Sequence, residues 1–164
     1  MRAEEQTVHG DAVVDVDAVF MNAALAAARC AGQAGEVPIG AAVVRGERII
    51  GCAHNAPIGL SDPSAHAEIL ALRQAALAEG NYRLSGTTVY VTVEPCTMCV
   101  GALLQARVAR VVFGCREPKA GALGSVYDLG WDARGERPFD VRSGVCALEA
   151  STLLQKFFRL RRGA

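Results

Sequence analysis

The sequence has no long apolar run, no excess charge of either sign and very little lysine. No apolar stretch approaches the roughly 20 residues that a membrane-spanning helix needs, and residues 1–17 are acidic, without the apolar centre of a signal peptide. The 17 lysines and arginines balance 17 aspartates and glutamates, so the whole chain lacks the basic character of many nucleic-acid-binding proteins. Lys119 and Lys156 are the only lysines. Any nucleic-acid surface must therefore come from local clusters of arginine, although genome composition explains an arginine bias equally well.

The six cysteines favour metal binding over disulfides. An even number fits a disulfide framework in a small secreted protein, but we find no secretion signal in the sequence. We therefore expect a cytoplasmic, reducing location, in which closely spaced cysteines are more often metal ligands. The cysteines are Cys30, Cys52, Cys96, Cys99, Cys115 and Cys146.

Apolar periodicity and turn residues predict an α/β fold. Strands joined through helices imply parallel pairs in a sheet that helices cover. Asp15 and Asp62 are candidate N-caps, and Pro63 fits a first helical position because its missing donor is not needed there. The predicted elements are, in order, a helix over 16–33, strands over 39–44 and 48–53, a helix over 62–79, a strand over 87–93, a helix over 94–106, strands over 108–113 and 139–145, and a helix over 148–162.

The sequence divides into a short extension and one domain. Residues 1–14 are polar and are predicted to be a flexible N-terminal extension, and residues 15–164 are predicted to form a single domain. The loop over 115–137 is longer than most connections, which marks it as functional or mobile.

Two short segments carry most of the chemistry that the sequence offers. They are His66-Ala67-Glu68 and Pro95-Cys96-Thr97-Met98-Cys99, and both fall in the first turns of predicted helices. Cys96 and Cys99 share one helix face, and a helix N-terminus stabilises the thiolates that bind metal. With His66 they supply three ligands, which leaves a fourth tetrahedral position for water, as in catalytic zinc sites. The ligand set suits zinc, although iron is compatible with the same donors.

Glu68 is the candidate catalytic residue. A carboxylate that is not a ligand but lies beside a metal-activated water can take up and return protons. Two other interpretations remain open from the residues alone: Cys96 and Cys99 as a redox pair, or a structural zinc site. A structural site needs a fourth ligand, for which Cys52, His54 or Cys115 are available.

The combination of His-x-Glu, a strand and Pro-Cys-x-x-Cys is typical of zinc-dependent nucleobase deaminases. From residue 36 to residue 162 the chain resembles the bacterial tRNA adenosine deaminases, which convert the wobble adenosine of an anticodon to inosine. The resemblance implies a three-layer α/β/α cytidine deaminase-like fold with a mixed central five-stranded sheet, a homodimer and one Zn²⁺ per subunit. The matching stretches are residues 36–40, 55–59, 62–74, 81–84, 90–99, 110–114 and 157–162.

The resemblance also implies roles for individual residues. His66, Cys96 and Cys99 would bind zinc and Glu68 would transfer protons. Asn55 would contact the flipped nucleoside, and Ile39 and the Ala67 backbone would contact the base. Lys119 would contact a substrate phosphate, with Glu117 in the same substrate-facing segment. Phe158 would pack near the anticodon loop, and Arg159, Arg161 and Arg162 would contact the RNA backbone. Simpler interpretations exist, because Asn55 could cap a loop and the arginines could offset a helix dipole.

Departures from the family pattern lie where substrate specificity is expected. Glu117 stands in place of an aspartate, and residues 131–138 lack an expected Asn-His pair. They motivate an alternative, a paralogous deaminase of free nucleobases or nucleosides such as guanine or cytosine. A third possibility is a zinc-stabilised binding module without catalysis, against which Glu68 argues, since a structural site has no use for a free acid.

Overall fold

The computed structural model describes residues 14–163, so the predicted flexible extension lies outside the described part of the chain except for Val14. Within this part the order of elements is close to the prediction, with one additional short helix, α2, in the predicted loop over 55–62. None of the described helices combines the length and the hydropathy needed to cross a bilayer. The elements are α1 (Val16–Gln33), β1 (Gly40–Arg45), β2 (Arg48–His54), α2 (Pro57–Leu60), α3 (Ala67–Glu79), β3 (Thr88–Val93), α4 (Thr97–Ala106), β4 (Arg110–Cys115), β5 (Asp140–Arg142) and α5 (Ala147–Arg162).

The strands form one mixed sheet in the order β2-β1-β3-β4-β5. The hairpin partner β2 and the neighbour β3 both pair antiparallel with β1, whereas β3, β4 and β5 are parallel. The parallel pair β3–β4 is connected by α4, as a crossover requires. The predicted mixed five-stranded sheet is therefore confirmed. Because β3 and β4 run in register, their last residues, Val93 and Cys115, lie together at one edge of the sheet.

Helices cover both faces of this sheet, which confirms the predicted three-layer fold. Successive residues of β3 and β4 point to opposite faces, as the strand period requires. Val91 and Phe113 contribute to a core that includes residues of α3 and α4. Tyr90 and Val112 contribute to a second core that includes residues of α1 and α5.

Glycines in the hairpin allow the helices to pack directly on the strands. A Cβ placed at Gly51 would lie 2.3 Å from the carbonyl oxygen of Ala71 in α3, and one at Gly40 would lie 2.0 Å from that of Ala24 in α1. Any side chain at these positions would therefore push a helix off the sheet. Gly51 thus helps to fix the depth of α3, the helix on which part of the candidate site is built.

The helix predicted over 62–79 begins only at Ala67. Asp62 does not cap the helix. Its Oδ1 instead accepts hydrogen bonds from the backbone amide and the hydroxyl of Ser64, at 2.8 and 2.7 Å. The amide of Ala65 then donates to the Asp62 carbonyl at 3.1 Å. The Asp-Pro segment therefore forms a local turn instead of the first turn of the helix, a common alternative use of Asp.

The helix predicted over 94–106 begins at Thr97. Residues Glu94 and Pro95 instead continue the sheet edge, because the Glu94 amide donates to the carbonyl of Cys115 at 2.8 Å. The predicted strand over 139–145 is also shorter, since the pairing with β4 covers only Asp140–Arg142. Both α3 and α4 thus begin a few residues later than predicted, and this places His66 and Cys96 at their N-cap positions.

Asp17 ties the first helix to three strands. Its carboxylate is buried and accepts the Tyr90 hydroxyl at 2.9 Å and both Nη atoms of Arg110 at 2.7 and 2.8 Å. Arg142 on β5 also donates to it and to Asp15, the predicted N-cap of α1, whose side chain accepts the amide of Asp17 as expected. These contacts, the hydrogen bond from Arg110 foremost, hold the pKa of Asp17 well below its usual range.

We expect Asp17→Asn to lower the free energy of unfolding by about 2 kcal/mol at pH 7, because two arginines lose a charged partner that is only partly solvated. The depressed pKa means that this carboxylate stabilises the fold above its unfolded-state pKa of about 4, and that the contribution is lost as the pH falls further. Urea unfolding of wild type and variant at pH 7 and at pH 3 should therefore give a smaller difference at pH 3.

Asp15→Asn is the matched control, since Asn is an equally good N-cap and the Asp15 side chain is half exposed. Asp15→Asn should lower the free energy of unfolding by less than half as much as Asp17→Asn. Equal losses at both positions, or a difference for Asp17→Asn that does not depend on pH, would contradict this interpretation of the cluster.

Candidate active site

The two predicted motifs meet at the sheet edge where β3 and β4 end. His66 is the N-cap of α3 and Cys96 is the N-cap of α4, both with extended backbone angles. The His66 side chain makes no capping hydrogen bond to α3, and its ring faces Cys96 and Cys99. The Sγ atoms of Cys96 and Cys99 lie 3.6 and 3.5 Å from the Nδ1 atom of His66. The structure thus brings the three predicted metal ligands together.

The spacing of these three donors fits a tetrahedral metal ion. Their ligand atoms all lie within 4.8 Å of one another. A tetrahedral zinc at about 2.3 Å from sulfur and about 2.0 Å from nitrogen holds those two atoms roughly 3.5 Å apart, which matches the observed separations. Two thiolates and an imidazole are donors that zinc prefers, and three protein ligands leave one position open.

The three donors share charge in a way that favours a cation. Hydrogen bonding from Cys99 lowers the pKa of the Cys96 thiol to about 4. The same contact raises the pKa of Cys99, and hydrogen bonding to Cys96 raises that of His66. Negative charge is thus concentrated on the Cys96 sulfur, and a cation bound by the cluster would stabilise both thiolates.

Glu68 lies in the first turn of α3 and is only 4% exposed. Burial raises the pKa of its carboxyl group, while its own backbone amide and the charge of His66 favour the ionised form. It also interacts with Cys96 and Cys99, so it lies beside the predicted metal ligands but is not part of their cluster. A buried carboxyl group with a raised pKa is suited to take up and release protons.

The alternative ligands for a structural zinc site lie elsewhere. Within residues 14–163, the cluster of His66, Cys96 and Cys99 contains no fourth His, Cys, Asp or Glu donor. The Nδ1 atom of His54 contacts the carbonyl oxygen of Asn55 at 2.8 Å, and Cys52 is exposed on β2. The geometry therefore favours a site with an open position over a closed structural site.

Asn55, Ile39 and Ala67, three of the predicted substrate residues, lie at the same end of the sheet as the predicted metal ligands, Ala67 being the first residue of α3. Asn55 follows β2, and its amide donates to the carbonyl of Ile39, which precedes β1, at 3.0 Å. The next amide, that of Ala56, donates to Ala65 at 2.9 Å and so joins this loop to the His66 segment. Asn55 is only 7% exposed, and its side-chain amide has no hydrogen bond to any other described residue. It is therefore available to a ligand.

Glu117 and Lys119 reach this edge on the loop that follows β4. The amide of Lys119 donates to Oε1 of Glu117 at 2.9 Å, so the two residues form one local turn. The loop is joined to the metal-ligand segment, because the Ala122 amide donates to the carbonyl of Pro95 at 2.8 Å and Gly121 forms an antiparallel bridge with Cys96.

The predicted RNA residues of α5 are not gathered around the metal ligands, because α5 packs on the opposite face of the sheet with α1. Phe158 is 43% exposed and makes an edge-to-face contact with Phe157. Arg161 stacks on Phe157 and donates to the carbonyl of Gly35 at 2.7 Å, which gives it a structural role. Arg159 and Arg162 are exposed.

Glu94 is a residue of this region that sequence reasoning treated only as the start of a helix. It is 3% exposed and its carboxylate accepts hydrogen bonds from the loop after β4. The available signal was a single acidic residue directly after the apolar strand β3, where a buried charge needs partners.

The sequence comparisons agree with this geometry. Residues 14–115 match the family described as the cytidine and deoxycytidylate deaminase zinc-binding region. The chain is also 47% identical, over 149 residues, to the tRNA-specific adenosine deaminase of Haemophilus influenzae; the match covers 90% of this chain and 86% of that protein.

The solved structures point to the same group of proteins. One, from a study of A-to-I editing by tRNA:A34 deaminases at the wobble position, matches with a TM-score of 0.79 and 42% identity, covering 83% of this chain and 99% of that one. The guanine deaminase of Nitrosomonas europaea matches with a TM-score of 0.71 but only 25% identity, over 85% of this chain and 83% of that one.

Proposed function

Because the chain belongs to the cytidine and deoxycytidylate deaminase family and, within it, to the tRNA-specific adenosine deaminases, we propose that it hydrolyses the wobble adenosine of a tRNA anticodon to inosine and ammonia. The observation that carries the proposal is the convergence of His66, Cys96 and Cys99 at zinc-ligand spacing beside the buried Glu68. One deaminase domain, residues 15–164, performs the reaction with one Zn²⁺ per subunit.

In this proposal His66, Cys96 and Cys99 hold the zinc ion. When bound, zinc lowers the pKa of a coordinated water towards 7 and so supplies a nucleophile at neutral pH. The adenine amino group is a poor leaving group until it is protonated. The chain must therefore contribute a group that can move protons between the water and the base.

Glu68 is that group. It takes a proton from the attacking water and delivers it to N1 of adenine. It then takes the water's second proton from the new C6 hydroxyl and transfers it to the amino group, so that the C6 carbonyl forms as the C–N bond breaks and ammonia leaves. The overall balance is adenosine plus water giving inosine plus ammonia. Its burial keeps competing water away and raises its pKa, both of which suit a group that must alternate between acid and base.

Other residues bind and orient the substrate. Asn55 contacts the nucleoside with its free side-chain amide, and Ile39 with the backbone of Ala67 forms the surroundings of the base. Lys119 contacts a phosphate of the substrate, and Glu117 lies in the same segment facing the substrate. Arg159, Arg161 and Arg162 contact the RNA backbone further away, on the other face of the sheet, and Phe158 packs near the anticodon loop. A single-stranded anticodon loop lowers the cost of turning the target base out of its stack.

We also propose that the protein is a cytoplasmic homodimer. An outer groove of about 390 Å³ between α3 and α4 supports the dimer, because its lining is mostly apolar: Ile69, Leu72, Arg73, Ala76, Tyr82, Ala102, Gln105 and Ala106. The reducing cytoplasm keeps Cys96 and Cys99 reduced, so that they do not form a disulfide.

The substrate is tested by comparing RNA with free bases. We expect inosine and ammonia from an anticodon stem–loop that carries adenosine at the wobble position, because the RNA contacts supply binding energy that a free base lacks. Free adenine, guanine and cytosine should react at least about 10³-fold more slowly in kcat/KM, equivalent to roughly 4 kcal/mol of lost contacts. Nucleoside analysis by mass spectrometry and an ammonia assay measure the two products.

The matched control is the same stem–loop with guanosine at the wobble position. Ammonia from free guanine, with none from the adenosine stem–loop, would overturn the tRNA proposal in favour of a free-base deaminase, the alternative suggested by the guanine deaminase structure. No ammonia from any substrate, with zinc fully bound, would favour a binding module.

A further inference from the structure

The carboxylate of Glu94 is a meeting point for hydrogen bonds from one loop. Its Oε1 accepts the amides of Leu123 and Ser125, both at 3.0 Å, and its Oε2 accepts the amide of Glu117 at 3.2 Å. The Ser125 hydroxyl also donates to Oε2, and the Arg116 guanidinium lies 4.0 Å away. The side chain is fully buried. Each carboxylate oxygen therefore accepts two hydrogen bonds from the loop.

The backbone around Glu94 is joined to the same loop. As described above, the Glu94 amide pairs with Cys115, Pro95 accepts the amide of Ala122, and Cys96 is bridged to Gly121. At Gly121 the loop passes so close that an added Cβ would lie 2.5 Å from Cδ of Glu94. A side chain at position 121 would therefore displace either the loop or the Glu94 carboxylate.

The loop held in this way carries two of the proposed substrate residues. Glu94 fixes the backbone of Glu117, and the Glu117 side chain in turn accepts the amide of Lys119 at 2.9 Å. On its other side, Glu94 is two residues before the metal ligand Cys96. One carboxylate thus connects the segment that binds metal with the segment that faces the substrate.

We propose that Glu94 is a positioning residue that sets the substrate loop, residues 116–125, at a fixed distance from the metal site. It is not a catalytic residue, since its hydrogen bonds go to the loop. The proposal deepens the function proposed above and rests on it for the identity of the substrate. It predicts that disturbing Glu94 weakens RNA binding more than it slows the chemical step.

Glu94→Gln tests this with little change of shape. A carboxylate can accept all four loop donors, whereas a Gln side chain accepts at only one oxygen and turns an NH₂ group towards the remaining donors. We expect KM for the adenosine stem–loop to rise about tenfold, equivalent to about 1.4 kcal/mol, with kcat within threefold of wild type and zinc content unchanged. Removal of a negative charge alone would strengthen RNA binding, so a rise in KM cannot come from charge.

Gly121→Ala is the second variant, because it keeps the carboxylate and all its donors but forces the loop away. It should raise KM as Glu94→Gln does, and the double variant should show less than the product of the two effects. Ser125→Ala, which removes one hydroxyl donor, should raise KM less than threefold. Glu149→Gln, an exposed charge change on α5, should leave KM the same or lower.

Hydrogen–deuterium exchange of the zinc-loaded protein gives a readout that needs no substrate. Peptides covering 116–125 should exchange at least about tenfold faster in Glu94→Gln, with peptides of α3 unchanged. If the wild type fails to deaminate the stem–loop but exchange in the loop still rises, the proposed function is wrong and the positioning role stands. Unchanged exchange, or a loss of zinc and kcat at constant KM, would overturn the positioning role.

Discussion

Replacing Glu68 with Gln is expected to reduce the turnover number for inosine formation at least about 10³-fold. General acid–base catalysis typically contributes 10²–10⁴ to a rate, and here one group has to move a proton twice. Gln has nearly the same shape, so the buried position beside His66 and Cys99 remains filled. Single-turnover measurements with excess enzyme report the chemical step and separate it from product release.

Glu79→Gln is the matched control for this change. It removes a carboxylate from the last turn of the same helix, far from the start of α3. Glu79 forms ion pairs there with Arg45 and Arg48. The control should retain turnover within about twofold, with a loss of stability below 1 kcal/mol. A Glu68→Gln enzyme that stays within tenfold of wild type would assign the proton transfers to another group.

Replacing Cys99 with Ala is expected to abolish zinc binding and to destabilise the fold. Cys99 is completely buried, and its sulfur is one of only two sulfur donors in the cluster. Residues that merely support metal ligands contribute 10–100-fold to affinity, so loss of a ligand should cost more than about a hundredfold. At free zinc a thousand times above the dissociation constant, bound metal contributes about 4 kcal/mol to stability. The unfolding temperature of Cys99→Ala should therefore be lower than that of the wild type, and added zinc should no longer raise it.

Cys30→Ala makes the same chemical change outside the cluster. Cys30 is exposed near the end of α1, and its replacement should leave both zinc content and unfolding temperature unchanged. Full zinc content in Cys99→Ala, measured by metal analysis after dialysis, would mean that the ion is held by other groups.

The sequence predicted the features that depend on local patterns. The helix over 16–33 and its cap Asp15 were correct to the residue, since periodicity and capping are local properties. The structure also brings the three predicted metal ligands together, as the combination of His-x-Glu with Pro-Cys-x-x-Cys indicated. The start of α3 was wrong because Asp62 can cap a helix or close a turn, and its immediate neighbours do not determine which.

The role of Glu94 was not predictable in this way. Its partners Glu117, Leu123 and Ser125 lie 23 to 31 residues further along the chain, on a loop without helical or strand periodicity. Only the parallel pairing of β3 with β4 brings this loop over the start of α4. Arg161 is similar, since its acceptor Gly35 is at the other end of the chain. Contacts of this kind depend on the order of the strands in the sheet, and local sequence patterns do not reveal them.

The zinc content of the Glu68→Gln protein tests most directly whether metal binding and proton transfer are carried out by different residues. We assign metal binding to His66, Cys96 and Cys99, and proton transfer to Glu68 alone. The variant should therefore carry the same ratio of zinc to protein as the wild type, in a sample that forms no inosine. Zinc lost together with the activity would show that Glu68 is a ligand and would contradict the assignment.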